Sequence, residues 1–414
     1  MAETKDGVKE GRTSVETKEM ELPLSSSLAK YKVNHYSMRV ALDMEGRRLH
    51  GEVILHILPL EEQQFERGKE DCEVFQLSLD CNDIVVESVE AVEIRKEDEE
   101  KLNRVSLLTH NLTPWVLNIS TDGPGPPPPL IRISYSTLPS SRSLLWHNDS
   151  SGELGVHTAA GAVNNRGLLP CQDLPTALST WDLTLTIPKT EKPLWPYCTG
   201  DTQGTVTNDG NNSMWEFSTS RNLPISALAL AIGSWSPVSL GPGMRLAGPG
   251  PLINQHVETL GKFLPKAVAI SCRLLGSTYP NPRTDLLVVH RSFSGLGLSS
   301  PSLIFLSPSL LAGDPALLIK LAHEITHAWF GLQVLSLDWA ETWVTEGFAT
   351  FLEDMIFAES VGEDKRVAGI RAMTRLLQLE EEVAGTTAEE QVDQFANFPI
   401  IYIYSVVGLV CPRG

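Results

Sequence analysis

The chain has 414 residues, of which 42% are hydrophobic and 20% charged, and its formal net charge at pH 7 is −18. This length and apolar content predict two or more domains with separate cores. The acidic balance argues against binding to nucleic acid or to an anionic membrane surface. The six cysteines show no C-x-x-C spacing and are typical of free thiols in a reducing compartment.

The first 27 residues are polar, and we expect residues 1–27 to form a disordered tail. This segment lacks the apolar stretch of a secretory signal, and no apolar run in the chain is long enough to span a bilayer. These features predict a cytoplasmic protein without a membrane partner, with the nucleus as an alternative compartment.

Short segments of alternating apolar and polar residues dominate the next two hundred positions, for example Tyr36–Leu42 and Trp181–Ile187. Alternation with a period of two indicates strands with one buried face. We therefore predict an N-terminal antiparallel β domain over residues 28–235. Repeated Gly-Pro pairs between Gly241 and Pro251 accompany the change to a second domain, predicted over residues 236–414.

The second domain is predicted to mix helices and strands. Residues Ile253–Leu275 indicate a helix and Leu286–His290 a buried strand. Another helix is predicted to begin at Asp314, which can cap it, and to end at Gly331. A further helix is predicted to open at Asp338, with a glutamate three residues later as the partner of a capping box.

A metal site is predicted on these last two helices. His323 and His327 stand four residues apart, so both imidazoles leave one face of a helix and can reach one zinc ion at roughly 2.0–2.1 Å. Glu324 projects beside them, where it could take a proton from water held by the metal. Glu346, on the next helix, can complete a His₂Glu set that leaves a fourth position open, as catalytic zinc sites do. Glu353, two turns further, is a candidate acceptor that orients one histidine.

A bare H-E-x-x-H also occurs by chance, but its setting here resembles one family. HEITHAWFG followed by W-x-x-x-W-x-x-E-G is similar to the gluzincin zinc aminopeptidases of the leukotriene hydrolase and aminopeptidase B branch. The phrase EGFATFLED is most similar to the aminopeptidase O members. Similarity also extends to the segments Asn165–Pro175, Ser226–Trp235 and Ser299–Asp314.

This resemblance implies a multidomain fold with a saddle-like N-terminal β domain followed by a thermolysin-like α/β catalytic domain. It also implies one zinc per chain, held by His323, His327 and Glu346, with Glu324 as the catalytic base. The implied activity is that of a monomeric aminopeptidase, which removes N-terminal residues from peptide substrates.

The sequence departs from the family at the edge strand of the cleft. Members carry G-x-M-E-N there, and the glutamate holds the free α-amino group of the substrate. Aligned through Pro301, the matching residues 296–300 read LGLSS, so Ser299 replaces that glutamate and an ion pair with the ammonium group is lost. Gly295 and Gly297 still suit close approach of a substrate backbone.

A second departure concerns the end of the sequence. Family members continue with a tyrosine that stabilises the oxyanion and with a helical domain, whereas the sequence from about residue 395, ANFPIIYIYSVVGLVCPRG, does not match the family. We therefore expect a truncated catalytic domain without the helical domain. Losing one oxyanion donor typically costs ~10²–10³ in rate, which implies weak turnover. The alternatives are an inactive form that retains zinc or peptide binding, and hydrolysis of substrates without a free amine.

Overall fold

A computed structural model describes residues 26, 28–60, 74–95, 98–148, 152–159, 163–201, 204–235, 237–289 and 296–384. Of the tail predicted over residues 1–27, only Ser26 is described, so the predicted disorder of this tail lies outside the described residues. The atypical sequence from about residue 395, and Gly295 at the cleft, also lie outside the described residues.

The first part of the chain consists of strands, as the alternating pattern predicts. Their bounds are β1 (Tyr31–Asp43), β2 (Arg48–Pro59), β3 (Val74–Asp80), β4 (Ile84–Arg95), β5 (Asp98–Leu107), β6 (Thr109–Leu112), β7 (Val116–Pro124), β8 (Leu130–Thr137), β9 (Leu144–Asn148), β10 (Leu154–Thr158), β11 (Leu178–Pro188), β12 (Trp195–Cys198), β13 (Thr205–Asp209), β14 (Asn212–Pro224) and β15 (Leu230–Gly233).

These strands form three sheets. Eight strands follow the order β13-β14-β11-β1-β2-β8-β4-β5, four the order β12-β15-β10-β9, and three the order β3-β7-β6. Pairing is antiparallel except between β1 and β11, which run parallel from His35 beside Thr180 to Ala41 beside Thr186. The N-terminal β domain is confirmed, and this one parallel pair departs from the antiparallel prediction.

Burial along β11 shows why this sequence forms a strand. Trp181, Leu183, Leu185 and Ile187 are buried, and the residues between them are half-buried. Apolar side chains at every second position place one face of the sheet against the core. The apolar cluster that they join extends across the first part of the chain and includes Leu332 from the second part.

The second part of the chain has a five-stranded sheet in the order β16-β17-β18-β20-β19, with helices packed against it. The bounds are β16 (Val238–Gly241), β17 (Met244–Ala247), α1 (Gly250–Asn254), α2 (Val257–Leu275), β18 (Thr284–Val288), β19 (Gly297–Ser300), β20 (Leu303–Leu306), α3 (Leu318–Thr326), α4 (Thr342–Val361) and α5 (Lys365–Ala384).

This mixture of a partly parallel sheet and helices confirms the predicted α/β fold, with differences at element boundaries. The helix predicted from Ile253 is divided, because α1 ends at Asn254 and α2 begins at Val257. The predicted strand at Leu286 begins two residues earlier, and β18 pairs in parallel with β17 and β20. The domain limits at residues 28–235 and 236–414 stay predictions.

Helices α2, α3 and α4 share one apolar core with the sheet. The buried side chains include Leu264 of α2, Val288 of β18, Ile325 of α3 and Ile356 of α4. This packing fixes α3 and α4 side by side behind the sheet edge formed by β19. None of the helices in the described part of the chain combines the length and apolar character that a bilayer crossing requires.

Candidate metal centre and cleft

The helix with the two histidines is entered through a capped turn. The Asp314 carboxylate accepts the main-chain N–H of Ala316 at 2.9 Å and so caps a short 3₁₀ turn that leads into α3. Asp314 is therefore a cap, as predicted, although of this turn rather than of the α-helix. The helix also ends earlier than predicted, at Thr326, so that His327 is its C-terminal cap residue.

A second capped turn leads into the helix that carries the glutamates. The carboxylate of Asp338 accepts the N–H of Ala340 at 2.7 Å, and α4 begins after this turn at Thr342. The predicted capping box differs in one detail. Glu341 accepts the main-chain N–H of Leu337 at 3.1 Å, one residue before the cap.

Three of the predicted side chains meet between α3 and α4. Nε2 of His323 lies 3.0 Å from Nε2 of His327 and 3.3 Å from Oε2 of Glu346. Nε2 of His327 lies 3.7 Å from the same oxygen of Glu346. Zinc ligands at 2.0–2.1 Å in a tetrahedron stand about 3.3 Å from one another. Among the described residues, this is the group of three or more histidine, cysteine and acidic side chains close enough to share a metal ion.

Both histidines turn the same nitrogen toward this centre. Nδ1 of His327 lies 2.8 Å from the carbonyl oxygen of Phe330, and Nδ1 of His323 lies 2.8 Å from Oε2 of Glu353. The carbonyl and the carboxylate are acceptors for an Nδ1–H group, so in both rings Nε2 is the nitrogen that faces the centre. This set of two imidazoles and one carboxylate fits zinc, and Glu353 lies where an orienting acceptor was predicted.

Charges in this cluster are strongly coupled. Burial alone would lower the pKa of His323, but its hydrogen bonds to Glu346 and Glu353 outweigh burial and raise the pKa to about 9. Burial would raise the pKa of Glu346, but the hydrogen bond and charge of the histidines lower it to about 2. Without a metal, His323 is therefore protonated and paired with Glu346, so a bound cation has to displace that proton.

Glu324 lies beside this centre without joining it. Its side chain is buried, and burial raises the pKa of its carboxyl to about 8, with the charge of Glu346 acting in the same direction. A Cβ atom on Gly297 would stand 2.5 Å from Oε1 of Glu324. Glycine at 297 thus gives room to Glu324, whereas the sequence had suggested room for a substrate backbone.

The cluster opens into a cleft of about 310 Å³. One wall is the edge strand β19 with Gly297 and Ser299, and the floor holds the histidines and both glutamates. The remaining lining residues are Pro175, Pro224, Ser226, Ala227, Leu298, Gly331, Leu332, Leu335, Ser336, Trp339, Thr342 and Thr345. Both parts of the chain therefore contribute to the cleft.

Residues 265–397 match the model of the peptidase family M1 domain. The chain carries a peptidase family M1 domain over these residues. Aminopeptidase O of Homo sapiens is 30% identical over 64% of this chain and 38% of its own length, and that of Mus musculus is 31% identical over 67% and 40%. Aminopeptidase B of Rattus norvegicus is 32% identical over 49% of this chain and 30% of its own length.

The M1 fold is also evident from solved structures. Native leukotriene A4 hydrolase from Saccharomyces cerevisiae superimposes with a TM-score of 0.76 at 19% identity, over 96% of this chain and 62% of that one. An M1 zinc metallopeptidase from Deinococcus radiodurans superimposes with a TM-score of 0.65 at 21% identity, over 85% of this chain and 76% of that one. The predicted family and fold are confirmed, and the chain spans about two fifths of the length of the aminopeptidase O relatives.

Contacts that the sequence did not reveal hold the M1 cleft walls together. The Ser300 hydroxyl, on the edge strand, donates to the carbonyl oxygen of Ala227 and forms a hydrogen bond with the Thr199 hydroxyl. Both hydroxyls are buried. At the other end of the strand, Leu296 has a φ of 61° and packs against the apolar core that α2, α3 and α4 share with the five-stranded sheet. No sequence signal distinguishes these serine and threonine residues from others in the chain.

Proposed function

We propose that this chain is a zinc-dependent aminopeptidase that removes N-terminal residues from peptides. One observation carries the proposal. His323, His327 and Glu346 converge with their metal-binding atoms within 3.7 Å, and Glu324 faces the same cleft. The peptidase family M1 domain and the aminopeptidase names of the relatives support the choice of reaction.

The residues would divide the work as follows. His323, His327 and Glu346 would hold zinc, which supplies a Lewis acid that brings the pKa of water towards ~7. Glu324 would take the proton of the attacking water and pass it to the leaving amine. Its raised pKa of about 8 suits a group that both accepts and donates a proton near neutral pH.

The peptide would lie along β19. Within the described part of the chain, this strand stands at the end of its sheet and pairs only with β20. An extended peptide can add to such an edge through main-chain hydrogen bonds. Ser299 lines the cleft there and offers a hydroxyl rather than a carboxylate, so we expect weak recognition of the substrate's ammonium group.

The loss of a carboxylate at Ser299 also favours a second candidate, a form that keeps zinc or peptide binding without hydrolysis. Both the aminopeptidase and the binding form are expected to contain zinc, and only the aminopeptidase is expected to hydrolyse peptides. Zinc stoichiometry must therefore be measured together with hydrolysis of aminoacyl fluorogenic amides.

The decisive comparison is between the wild-type chain, Glu324→Gln and the control Glu359→Gln. Glu359 lies on the exposed side of α4, where its half-exposed side chain pairs with Arg273 away from the centre. All three proteins should bind one zinc, and Glu324→Gln should lose ~10²–10⁴-fold in turnover while the control retains it. Zinc binding without turnover in the wild type would reject the enzyme and support the binding form.

We also infer that the protein acts as a cytoplasmic monomer. Cys81, Cys171 and Cys198 are buried free thiols, and Cys272 is a half-buried one. Thiols that stay unpaired are typical of a reducing compartment. Fractionation of cells and light scattering of the purified chain test these two points.

A further inference from the structure

We propose that Lys320 is a positioning residue of the metal centre, which fixes the Glu353 carboxylate against His323 and ties together the two helices that carry the metal ligands. This inference rests on the proposed function, because it takes zinc to be the ion that the centre binds. It adds a residue that neither the motif nor its resemblance identifies.

The geometry places one carboxylate oxygen between two nitrogen donors. Lys320 lies on α3, three residues before His323, and its Nζ is 3.4 Å from Oε2 of Glu353. Nδ1 of His323 is 2.8 Å from that same oxygen. The lysine and the histidine therefore hold a single atom of Glu353 from two sides.

Burial makes the lysine necessary. The Glu353 side chain has no exposed surface, whereas 35% of the Lys320 side chain is exposed. A buried carboxylate loses its hydration and needs an opposite charge or several hydrogen bonds in return. The Lys320 ammonium supplies such a charge from the solvent side, so the carboxylate stays in place beside the imidazole.

The contact also sets the spacing between the two ligand-bearing helices. His323 and Lys320 belong to α3, while Glu346 and Glu353 belong to α4. A link from Lys320 to Glu353 holds these helices together about one turn from His323 on α3 and two turns from Glu346 on α4. Removing a residue that orients a metal-binding histidine typically weakens metal affinity by 10–100-fold. We expect a loss of similar size when Lys320 is replaced.

The test compares Lys320→Met, which keeps much of the volume but not the charge, with Lys320→Arg, which keeps the charge. Lys266→Met is the matched control. Nζ of Lys266 donates to the carbonyl oxygen of Ser360 at 2.6 Å, so this lysine also tethers α4, but near its far end. The zinc dissociation constant of each full-length chain is measured at one pH by competition with a chelator, and the unfolding of each metal-free chain is measured in urea.

We expect Lys320→Met to weaken zinc binding by ~10-fold or more, Lys320→Arg to restore most of that loss, and Lys266→Met to leave zinc affinity unchanged. In the metal-free chain, the Nδ1 proton of His323, observed by NMR after selective histidine labelling, should exchange faster in Lys320→Met. Unchanged zinc affinity and proton exchange in Lys320→Met would overturn the proposal, even if that variant were less stable in urea.

These outcomes separate the inference from the proposed function. Zinc binding that depends on Lys320, without peptide hydrolysis by the wild type, would support the positioning role and reject the aminopeptidase. Peptide hydrolysis by the wild type, with a zinc affinity that does not depend on Lys320, would support the aminopeptidase and reject the positioning role. A wild-type chain that binds no zinc would overturn both.

Discussion

Trp339 donates its indole N–H to the main-chain carbonyl oxygen of Asp173 at 2.8 Å, although the two residues are 166 positions apart in the sequence. Trp339 lies in the turn before α4 and lines the cleft. Asp173 is buried in the first part of the chain, where its carboxylate accepts from Nε of Arg166 at 2.9 Å. The entrance to α4 is thus attached directly to a buried ion pair outside the cleft.

That ion pair gives the protein a defined dependence on pH. Burial raises the pKa of Asp173 to about 6 against the opposing effect of Arg166. The folded chain therefore holds this proton more tightly than the unfolded chain does. The stabilising contribution of Asp173 is complete below about pH 4 and is lost as pH rises through about 6.

Asp173→Asn should remove that dependence. We expect the unfolding free energy of the variant, relative to wild type, to rise by roughly 3 kcal/mol between pH 3 and pH 7 and to stay level above pH 7. Urea unfolding of both metal-free chains across this range measures the difference. A constant difference at all pH values would show that the Asp173 carboxyl has the same pKa in the folded and unfolded chains.

Gly297→Ala should impair catalysis by displacing the base. The added Cβ would stand 2.5 Å from Oε1 of Glu324, which cannot move without leaving its place in the cleft. Misplacement of a catalytic group by about 1 Å can cost ~10²-fold, so kcat should fall by one to two orders of magnitude, with zinc content retained. Gly369→Ala on α5, where the new Cβ would meet no atom within 4 Å, is the control and should keep full turnover. Equal kcat values in the two variants would contradict this role of Gly297.

Substitutions at Ser300 and Thr199 should loosen the edge strand. Their hydroxyls form a hydrogen bond with each other, and Ser300 also donates to Ala227, so Ser300→Ala or Thr199→Val removes buried hydrogen bonds between the strand and the wall opposite. Each variant should lose ~1 kcal/mol of stability and raise KM several-fold with little change in kcat. In a double-mutant cycle the combined loss should be smaller than the sum. Strict additivity would mean that the two hydroxyls act independently.

Zinc should stabilise the folded chain through all three predicted ligands. At a free concentration of 1,000 times Kd, a ligand that binds only the folded state adds ~4.1 kcal/mol to the free energy of unfolding. Glu346→Gln removes the charged ligand and should abolish most of this gain, whereas Glu359→Gln should retain it. Urea unfolding with zinc and with chelator gives both values. An unchanged gain in Glu346→Gln would exclude Glu346 as a ligand.

The local part of this site was predictable from the sequence because helical periodicity is local. Four residues separate His323 from His327, and that spacing alone turns both rings to one side. Asp314 and Asp338 were recognisable as caps for the same reason, although the turns that they cap proved to be 3₁₀. The positions of Glu346 and Glu353 required a second helix, which its own pattern indicated.

Contacts between distant segments could not be predicted in this way. Lys320 looks like any solvated helix lysine until α4 brings Glu353 against it. The parallel pairing of β1 with β11 joins strands more than a hundred residues apart, and alternation along one strand does not indicate its neighbour. The hydrogen bond of Ser300 with Thr199 depends on the same long-range arrangement.

The edge strand β19 is held at both ends, by apolar packing of Leu296 and by the buried hydroxyl of Ser300. A strand that cannot shift acts as a rigid template, and an arriving chain has to adopt its extended shape. Proline has no main-chain N–H to offer such a template. The cleft should therefore discriminate among peptides by their backbone, and it should reject those with proline at the position that pairs with β19, whatever their side chains.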